Sequence, residues 1–208
     1  MIKITDLIIP LTYDLKILED IVVKRLRIDY NHIESIKIIN RSVDTLNKQD
    51  IHFKMSVAVY ISGDEKEVVF QVKDKHISIE NEVFYTVSKL TRKLKERPVI
   101  VGCGPAGMFA ALVLAEAGAD PILLERGQDI DNRRKSVSDF WNTGALDTNT
   151  NVQFGEGGAG AFSDGKLKTG FKDYRKIKVL NEFVEAGAPS EIMYLSKPHI
   201  GTDRLTEV

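Results

Sequence analysis

The 208-residue sequence lacks several features that mark common classes of protein. Its one cysteine, Cys103, excludes an internal disulfide, a dithiol redox pair and a multi-cysteine metal site. The longest apolar run, residues 108–115, is far shorter than the roughly 20 residues of a membrane span. The formal net charge is −1, so no overall basic charge favours nucleic acid. With no signal-peptide pattern in MIKITD, we expect a cytoplasmic protein without membrane spans or metal.

Residues 1–80 predict a small α+β module. A strand precedes Pro10, and the helical spacing of apolar residues over 15–26 predicts a helix capped by Asp14. A buried strand follows at Ser35–Asn40, and a half-buried one, with alternating apolar residues, at Phe53–Ile61. The order strand, helix, strand, strand resembles half of a ferredoxin-like module, which a further helix and strand would close.

Residues 81–97 predict a helix that connects two domains. Apolar residues follow helical spacing there, and Pro98 would end the helix. The segment is rich in lysine and arginine, which suits a solvated connector; the alternative is a face that binds an anionic cofactor tail or RNA.

The clearest motif is VIVGCGPAGMFAALVLAEAGADPILLE at residues 99–125. A strand, the pattern GxGxxG, an apolar helix, a glycine, a second strand and an acidic residue follow in the order that binds a dinucleotide. The three glycines permit a tight turn, backbone approach to a pyrophosphate and close packing of helix on strand. Glu125 comes about 20 residues after the first glycine, where a carboxylate accepts hydrogen bonds from an adenosine ribose and disfavours a 2′-phosphate. The ligand is therefore FAD or NAD rather than NADP. The residues predicted to bind it are Gly102, Gly104, Pro105, Ala106, Gly107, Glu125 and Arg126.

These residues, with NVQFGEGGAGAFSDGKLKTG, FVEAGAP and KPHIGTDRL further on, resemble a bacterial family of FAD-dependent dehydrogenases with a glutathione-reductase-like nucleotide fold. The resemblance is dense after Pro98 and looser before it. It implies FAD binding and an oxidoreductase, with NAD(P)H a candidate electron donor and the substrate unspecified. Members of the family are longer, so residues 98–208 would be the N-terminal part of the FAD domain, and the incomplete sheet would expose apolar surface and favour oligomers. The expected fold class is α/β: an incomplete Rossmann-like βαβ unit after a ferredoxin-like domain.

The resemblance also gives a role to the glycine-rich stretch FGEGGAGAFSDGK at residues 154–166. Linkers seldom mix aromatic and charged residues into their glycine, so we expect a loop packed against a ligand; the alternative is a self-packed surface loop. In related flavoproteins such a segment passes close to the pyrophosphate and the flavin ring. The residues predicted to contact FAD in this segment are Gly157, Gly158, Gly160, Ser163, Asp164 and Lys166.

The remaining candidates lie on either side of this loop. Asp129 or Asp131 would cap a helix with Trp141 facing inward. In that helix Arg133 and Arg134 are candidate phosphate contacts, although a solvated face suits them better.

His199 is a weak candidate for an acid or base, against a structural role. Residues 177–184 predict a further helix with Gly187 as its C-cap, and another would begin at Thr202 or Asp203.

Two other functions compete with the FAD-dependent oxidoreductase. The first is an NAD-dependent dehydrogenase that uses residues 102–125 for nicotinamide cofactor. The second is a non-enzymatic nucleotide-binding or RNA-binding protein that uses the N-terminal module, although HFKMSVAVY lacks the paired aromatic residues of an RNA-binding strand. A bound yellow chromophore would separate the first rival from the flavoprotein.

Overall fold

A computed structural model describes residues 1–167, 173–201 and 204–208. The chain divides into a first unit of residues 1–83 and 191–198 and a second unit of residues 84–190 and 199–208. The predicted division assigned the whole chain after Pro98 to one domain, so the return of residues 191–198 to the first unit differs from it. The predicted helix start at Thr202 or Asp203 lies outside the described residues.

The first unit is a four-stranded antiparallel sheet with two helices. Its elements are β1 (Ile2–Ile9), α1 (Leu15–Leu26), β2 (Ile33–Asp44), β3 (His52–Ile61), α2 (Glu65–Val72) and β4 (Ile77–Ile79). The strand order is β2-β3-β1-β4. This is the ferredoxin-like arrangement, and α2 and β4 are the helix and strand that the prediction required to close the module. This part of the predicted fold class is therefore confirmed.

Helix α1 forms where its cap and its apolar spacing require. The Asp14 side chain accepts a hydrogen bond from the Ile17 N–H at 2.8 Å, which satisfies one of the free amides of the helix start. Leu18, Val22 and Leu26 are buried one turn apart, against the inward-facing residues of the sheet. The core of this unit thus lies between α1 and the sheet.

Strand β2 is an edge of the sheet, and part of that edge is covered from a distant part of the chain. Arg41 forms a parallel bridge with Leu195: its N–H donates to the Tyr194 carbonyl at 2.8 Å, and its carbonyl accepts from the Ser196 N–H at 3.1 Å. The guanidinium of Arg41 lies 5.2 Å from the Tyr194 ring centroid and donates to the Tyr13 hydroxyl at 2.9 Å. Residues 191–198 are therefore held to the first unit by backbone and side chain.

The second unit contains a parallel strand pair joined through a helix. Its elements are β5 (Val99–Val101), α3 (Pro105–Ala117), β6 (Ile122–Leu124), α4 (Ile130–Thr143) and α5 (Lys176–Glu185). Strand β5 pairs with β6 in parallel register, Ile100 opposite Leu123, so the predicted βαβ unit is confirmed. In the described ranges, no helix is both long and apolar enough to cross a membrane.

One face of this strand pair is open to solvent. Val99, Val101 and Leu124 are 58%, 84% and 51% exposed, while Ile100 points toward α3. Parallel sheets are normally covered on both faces, so the expected exposure of apolar surface is present. Association through this face stays a prediction.

The predicted helix over residues 81–97 is wrong, because neither helix nor strand lies between β4 and β5. The stretch NEVFYTV is rich in β-branched and aromatic residues, which lose side-chain freedom in a helix. The Leu90 N–H donates to the Ala117 carbonyl at 2.9 Å, and the Lys89 ammonium donates to the Glu116 carbonyl at 2.6 Å. The segment thus donates hydrogen bonds to carbonyls at the end of α3. The sequence of residues 81–97 gives no sign of these distant partners.

Helix α4 begins where the sequence predicts but turns a different face inward. Asp129 is its N-cap and accepts from the Asn132 N–H at 3.1 Å. Trp141 is 68% exposed, so the prediction that it faces inward is wrong; Val137 and Arg133 are the buried residues of this helix. Arg133 has carbonyl partners close by in the fold, and these outweigh the preference for burying an aromatic ring.

Helix α5 confirms the prediction for residues 177–184. Its C-cap is Ala186, one residue before the predicted Gly187, which takes the left-handed conformation at φ 108°.

Candidate functional site

The turn between β5 and α3 is held tightly together by two of its glycines. Gly102 has φ 100°, a left-handed conformation that other residues rarely adopt, and its N–H donates to the Leu124 carbonyl at 2.7 Å. A Cβ on Gly107 would lie 1.8 Å from the Gly102 carbonyl oxygen. The steric reasons given for the first and third glycines of the motif therefore apply in this fold.

The N-terminus of α3 presents its backbone to an open cleft. Gly104 is the N-cap, and within the described part of the chain no side chain caps this helix end. Pro105 occupies the first helical position, where its missing N–H costs nothing, so Ala106 and Gly107 supply the first amides. Amides of this kind, together with the helix dipole, attract a phosphate.

The carboxylate of Glu125 joins the ends of the two strands. Its Oε2 accepts from the Cys103 N–H at 2.6 Å and its Oε1 from the Gly127 N–H at 2.9 Å. These two amides hold the pKa of Glu125 below its usual value, so the group is ionised at neutral pH. Glu125 also lines the cleft, where its carboxylate can accept from a further donor, as the predicted contact with a ribose requires.

The glycine-rich loop at residues 154–166 packs directly on the first glycine turn. The Gly157 N–H donates to the Cys103 carbonyl at 2.8 Å. A Cβ on Gly158, which has φ 61°, would lie 3.2 Å from the Gly104 Cα and 3.3 Å from the Pro105 Cδ. Two backbone segments without side chains therefore face each other, one from each glycine-rich stretch.

A cleft of about 480 Å³ opens beside this contact. The first turn, the end of β6 and the glycine-rich loop all contribute to its lining. The Arg126 guanidinium lies 4.1 Å from the ring centroid of Phe154, which also lines the cleft. The lining residues that the sequence predicted are Gly102, Gly104, Glu125, Arg126 and Gly158.

Arg133 does not have the surroundings that the sequence predicted. Its side chain is 0% exposed, so the expectation of a solvated face is wrong. Its guanidinium donates to three loop carbonyls, those of Asn151 and Val152 at 2.9 Å and that of Glu156 at 2.5 Å. These bonds use three of its five N–H donors, and Arg133 is not among the residues that line the cleft. Its neighbour Arg134 is exposed, and no contact with the cleft is described for it.

Two further glycines let Arg133 and the loop come together, and the sequence analysis missed both. A Cβ on Gly155 would lie 2.6 Å from the Arg133 Cδ, and a Cβ on Gly127 would lie 2.5 Å from the Gly155 Cα. The Glu156 carboxylate also accepts from the Ile130 N–H at 2.8 Å. The only local signal was glycine itself, directly after the acidic residue and within the second glycine-rich stretch.

The remaining candidates form a separate group in the second unit. Asp164 and Lys166 make an exposed ion pair at 2.5 Å, and Lys166 forms an antiparallel bridge with His199. The His199 Nε2 contacts the Asp164 carbonyl. Together with Ser163, these residues are outside the described lining of the cleft, so the structure does not bring them together with the first glycine turn. A Cβ on Gly160 would lie 3.9 Å from the Pro105 Cγ, in ordinary van der Waals contact.

The second unit thus holds a Rossmann-like βαβ unit with an open cleft at its glycine turn. Residues 95–146, which span β5, α3, β6 and α4, match the family described as "FAD binding domain". Residues 1–60 match a "Domain of unknown function (DUF8436)". An uncharacterized protein of Clostridium beijerinckii is 47% identical over 208 residues, which is 100% of this chain and 39% of that relative. Residues 95–146 are therefore similar to an FAD binding domain, and the chain spans about two fifths of the relative's length.

Proposed function

We propose that this chain is the FAD-binding part of a flavin-dependent oxidoreductase and holds the ADP moiety of the cofactor. The observation that carries the proposal is the facing backbone of Gly104 and Gly158 at the mouth of the cleft. The match of residues 95–146 to an FAD binding domain supports it.

The residues present suit such a ligand. A diphosphate needs close approach of main chain, and the wall of the cleft has glycine on both sides at this point. The uncapped start of α3 supplies amides and a positive dipole end for the diphosphate charge. Glu125, fixed by two amides and part of the cleft lining, offers an ionised carboxylate to ribose hydroxyls. At Gly104 and Gly158 no side chain stands between the main chain and a diphosphate in the cleft beside them.

The work of this chain is binding and orientation. FAD, when bound, supplies the capacity to accept and release electrons. The glycine turn would fix the diphosphate, and Glu125 would fix the adenosine end. With both ends of the ADP half held, this chain would determine the direction in which the flavin ring extends from the cleft.

The test is an absorbance spectrum of the purified 208-residue chain after FAD is added and the excess removed. We expect the two visible flavin bands, and we expect ADP to displace FAD while FMN, which lacks the adenosine half, does not. Gly104→Val should abolish the bands because its methyl groups would fill the space facing Gly158.

The matched control is Ala110→Val, which adds the same side chain on the exposed side of the same helix. This variant should keep the bands. A chain that stays colourless with FAD and is protected against heat by NAD would overturn the proposal.

A further inference from the structure

The charged side chain of Arg133 is completely buried, and its hydrogen-bond acceptors are backbone carbonyls from one short segment, residues 151–156. An unpaired buried charge is costly, so its position depends on the carbonyls that surround it. All three belong to residues 151–156, and the Phe162 ring centroid, in the glycine-rich loop, lies 4.8 Å from the guanidinium. Burial lowers the pKa of Arg133, while the nearby Glu125 carboxylate opposes this shift. An arginine guanidinium keeps its charge in proteins, so that of Arg133 depends on residues 151–156 for its hydrogen bonds.

The three carbonyls that accept from Arg133 lie next to the part of the glycine-rich loop that forms the cleft wall. They come from residues 151, 152 and 156, on both sides of Gly155, and the Arg133 stem occupies the space where Gly155 lacks a Cβ. Gly157 and Gly158 follow at once and contact the first glycine turn. The wall of the cleft opposite Gly104 thus begins directly after the last bond to the guanidinium.

We propose that Arg133 is a positioning residue for the cofactor site: its guanidinium fixes residues 151–156 so that Gly158 is held opposite Gly104. The inference rests on the proposed function, because the cleft must hold a dinucleotide for this positioning to matter. Arg133 acts through the loop and touches no ligand. A lysine cannot replace it, because one ammonium group does not reproduce the planar fork that reaches carbonyls on both sides of Gly155.

The experiment compares three variants of the whole chain. Arg133→Met removes the charge and the fork, Arg133→Lys keeps the charge alone, and Val137→Ala removes a buried group from the next turn of α4 while the guanidinium keeps its three carbonyl partners. For each we would measure FAD affinity by titration, melting temperature, and hydrogen exchange of the loop amides without ligand. Those amides are Glu156, bonded to the Gln128 carbonyl, and Gly157, bonded to the Cys103 carbonyl.

We expect Arg133→Met to weaken FAD binding about ten- to a hundredfold, by analogy with the loss of a partner that orients a metal ligand. The two loop amides should lose protection in the same variant. Arg133→Lys should recover little of either. Val137→Ala should lower the melting temperature comparably and leave both affinity and loop protection close to those of the parent.

Three results would overturn the proposal. In the first, Arg133→Met keeps the parent's affinity. In the second, affinity falls only in proportion to melting temperature, as in Val137→Ala, which would make Arg133 merely structural. In the third, the parent chain itself binds no FAD, and then the proposed function fails as well. The third case is recognised from the parent alone, before any variant is compared.

Discussion

Replacing Gly107 by alanine tests the packing of α3 on the glycine turn. The new Cβ would lie 1.8 Å from the Gly102 carbonyl oxygen and 3.5 Å from the Ile100 Cγ2. Real Cβ atoms essentially never come within 3.0 Å of such neighbours, so helix and turn must move apart until that limit is reached. The atom in the way is backbone, so rotation of a side chain cannot relieve the contact.

The cost follows from this displacement. Overpacking of a tight contact costs about 1–3 kcal/mol, and about 2 kcal/mol corresponds to a fall of roughly 4–8 °C in Tm for a chain of this size. The same shift moves the amides of the α3 N-terminus away from the cleft. We therefore expect Gly107→Ala to lower both the Tm and the affinity for FAD.

Gly104→Ala is the matched comparison, because here the same methyl group meets nothing closer than the Gly158 Cα at 3.9 Å. Gly104 has φ −79° and ψ 177°, which alanine adopts readily. Alanine is a poorer N-cap than glycine, which destabilises the fold, but it also lowers the entropy of the unfolded chain, which stabilises the fold. The two effects nearly cancel, so the free energy of unfolding should change by about 0.5 kcal/mol or less. This variant should keep its Tm and lose FAD affinity. Thermal unfolding and FAD titration of both variants decide the matter: a Gly107→Ala protein with an unchanged Tm would refute the reasoning.

Two further predictions concern ionised groups. The amides of Cys103 and Gly127 hold the pKa of Glu125 below its ordinary value of 4.5, so the carboxylate stabilises the fold above pH 4.5 and loses this effect as the pH falls through the folded-state pKa. Urea unfolding should therefore show Glu125→Gln less stable than the parent at pH 7 and the difference smaller at pH 3.5; a difference that grows with acid would contradict this. Asp14→Ala should cost about 1 kcal/mol by removing the N-cap of α1, while Asp14→Asn should cost less; equal losses would mean that the cap bond contributes little.

The parts of the fold that the sequence predicts are those whose cause is local. The glycine turn is one of them, because its conformation and the close approach of Gly107 to Gly102 are properties of one short stretch of chain. The caps at Asp14 and Asp129 are others, since each bonds an amide in the first turn of its own helix. The resemblance to FAD-dependent proteins adds the cofactor, which glycine spacing alone leaves open between FAD and NAD.

The predictions that were wrong concern residues whose hydrogen-bond partners are far away in the sequence. Nothing near Arg133 in sequence shows that carbonyls from Asn151 and Val152, beyond the end of its own helix, will surround it. Once they do, Trp141 is left in solvent. Residues 81–97 have helical apolar spacing, but the Leu90 amide takes its partner from Ala117 at the end of α3. In both cases tertiary hydrogen bonds decide what a periodic pattern cannot.

The bridge between Arg41 and Leu195 has a consequence for synthesis on the ribosome. All four strands of the first unit are complete by Ile79, but the segment that covers the edge of β2 ends at residue 198. At about 5–20 residues per second, that edge stays open for roughly 6–24 s while the intervening chain is made. An unpaired edge invites pairing with a neighbouring nascent chain, and charged residues such as Lys37 and Arg41 on the strand are a known protection. The basic side chains of β2 thus disfavour pairing of this edge with another chain until residues 191–198 have been synthesised.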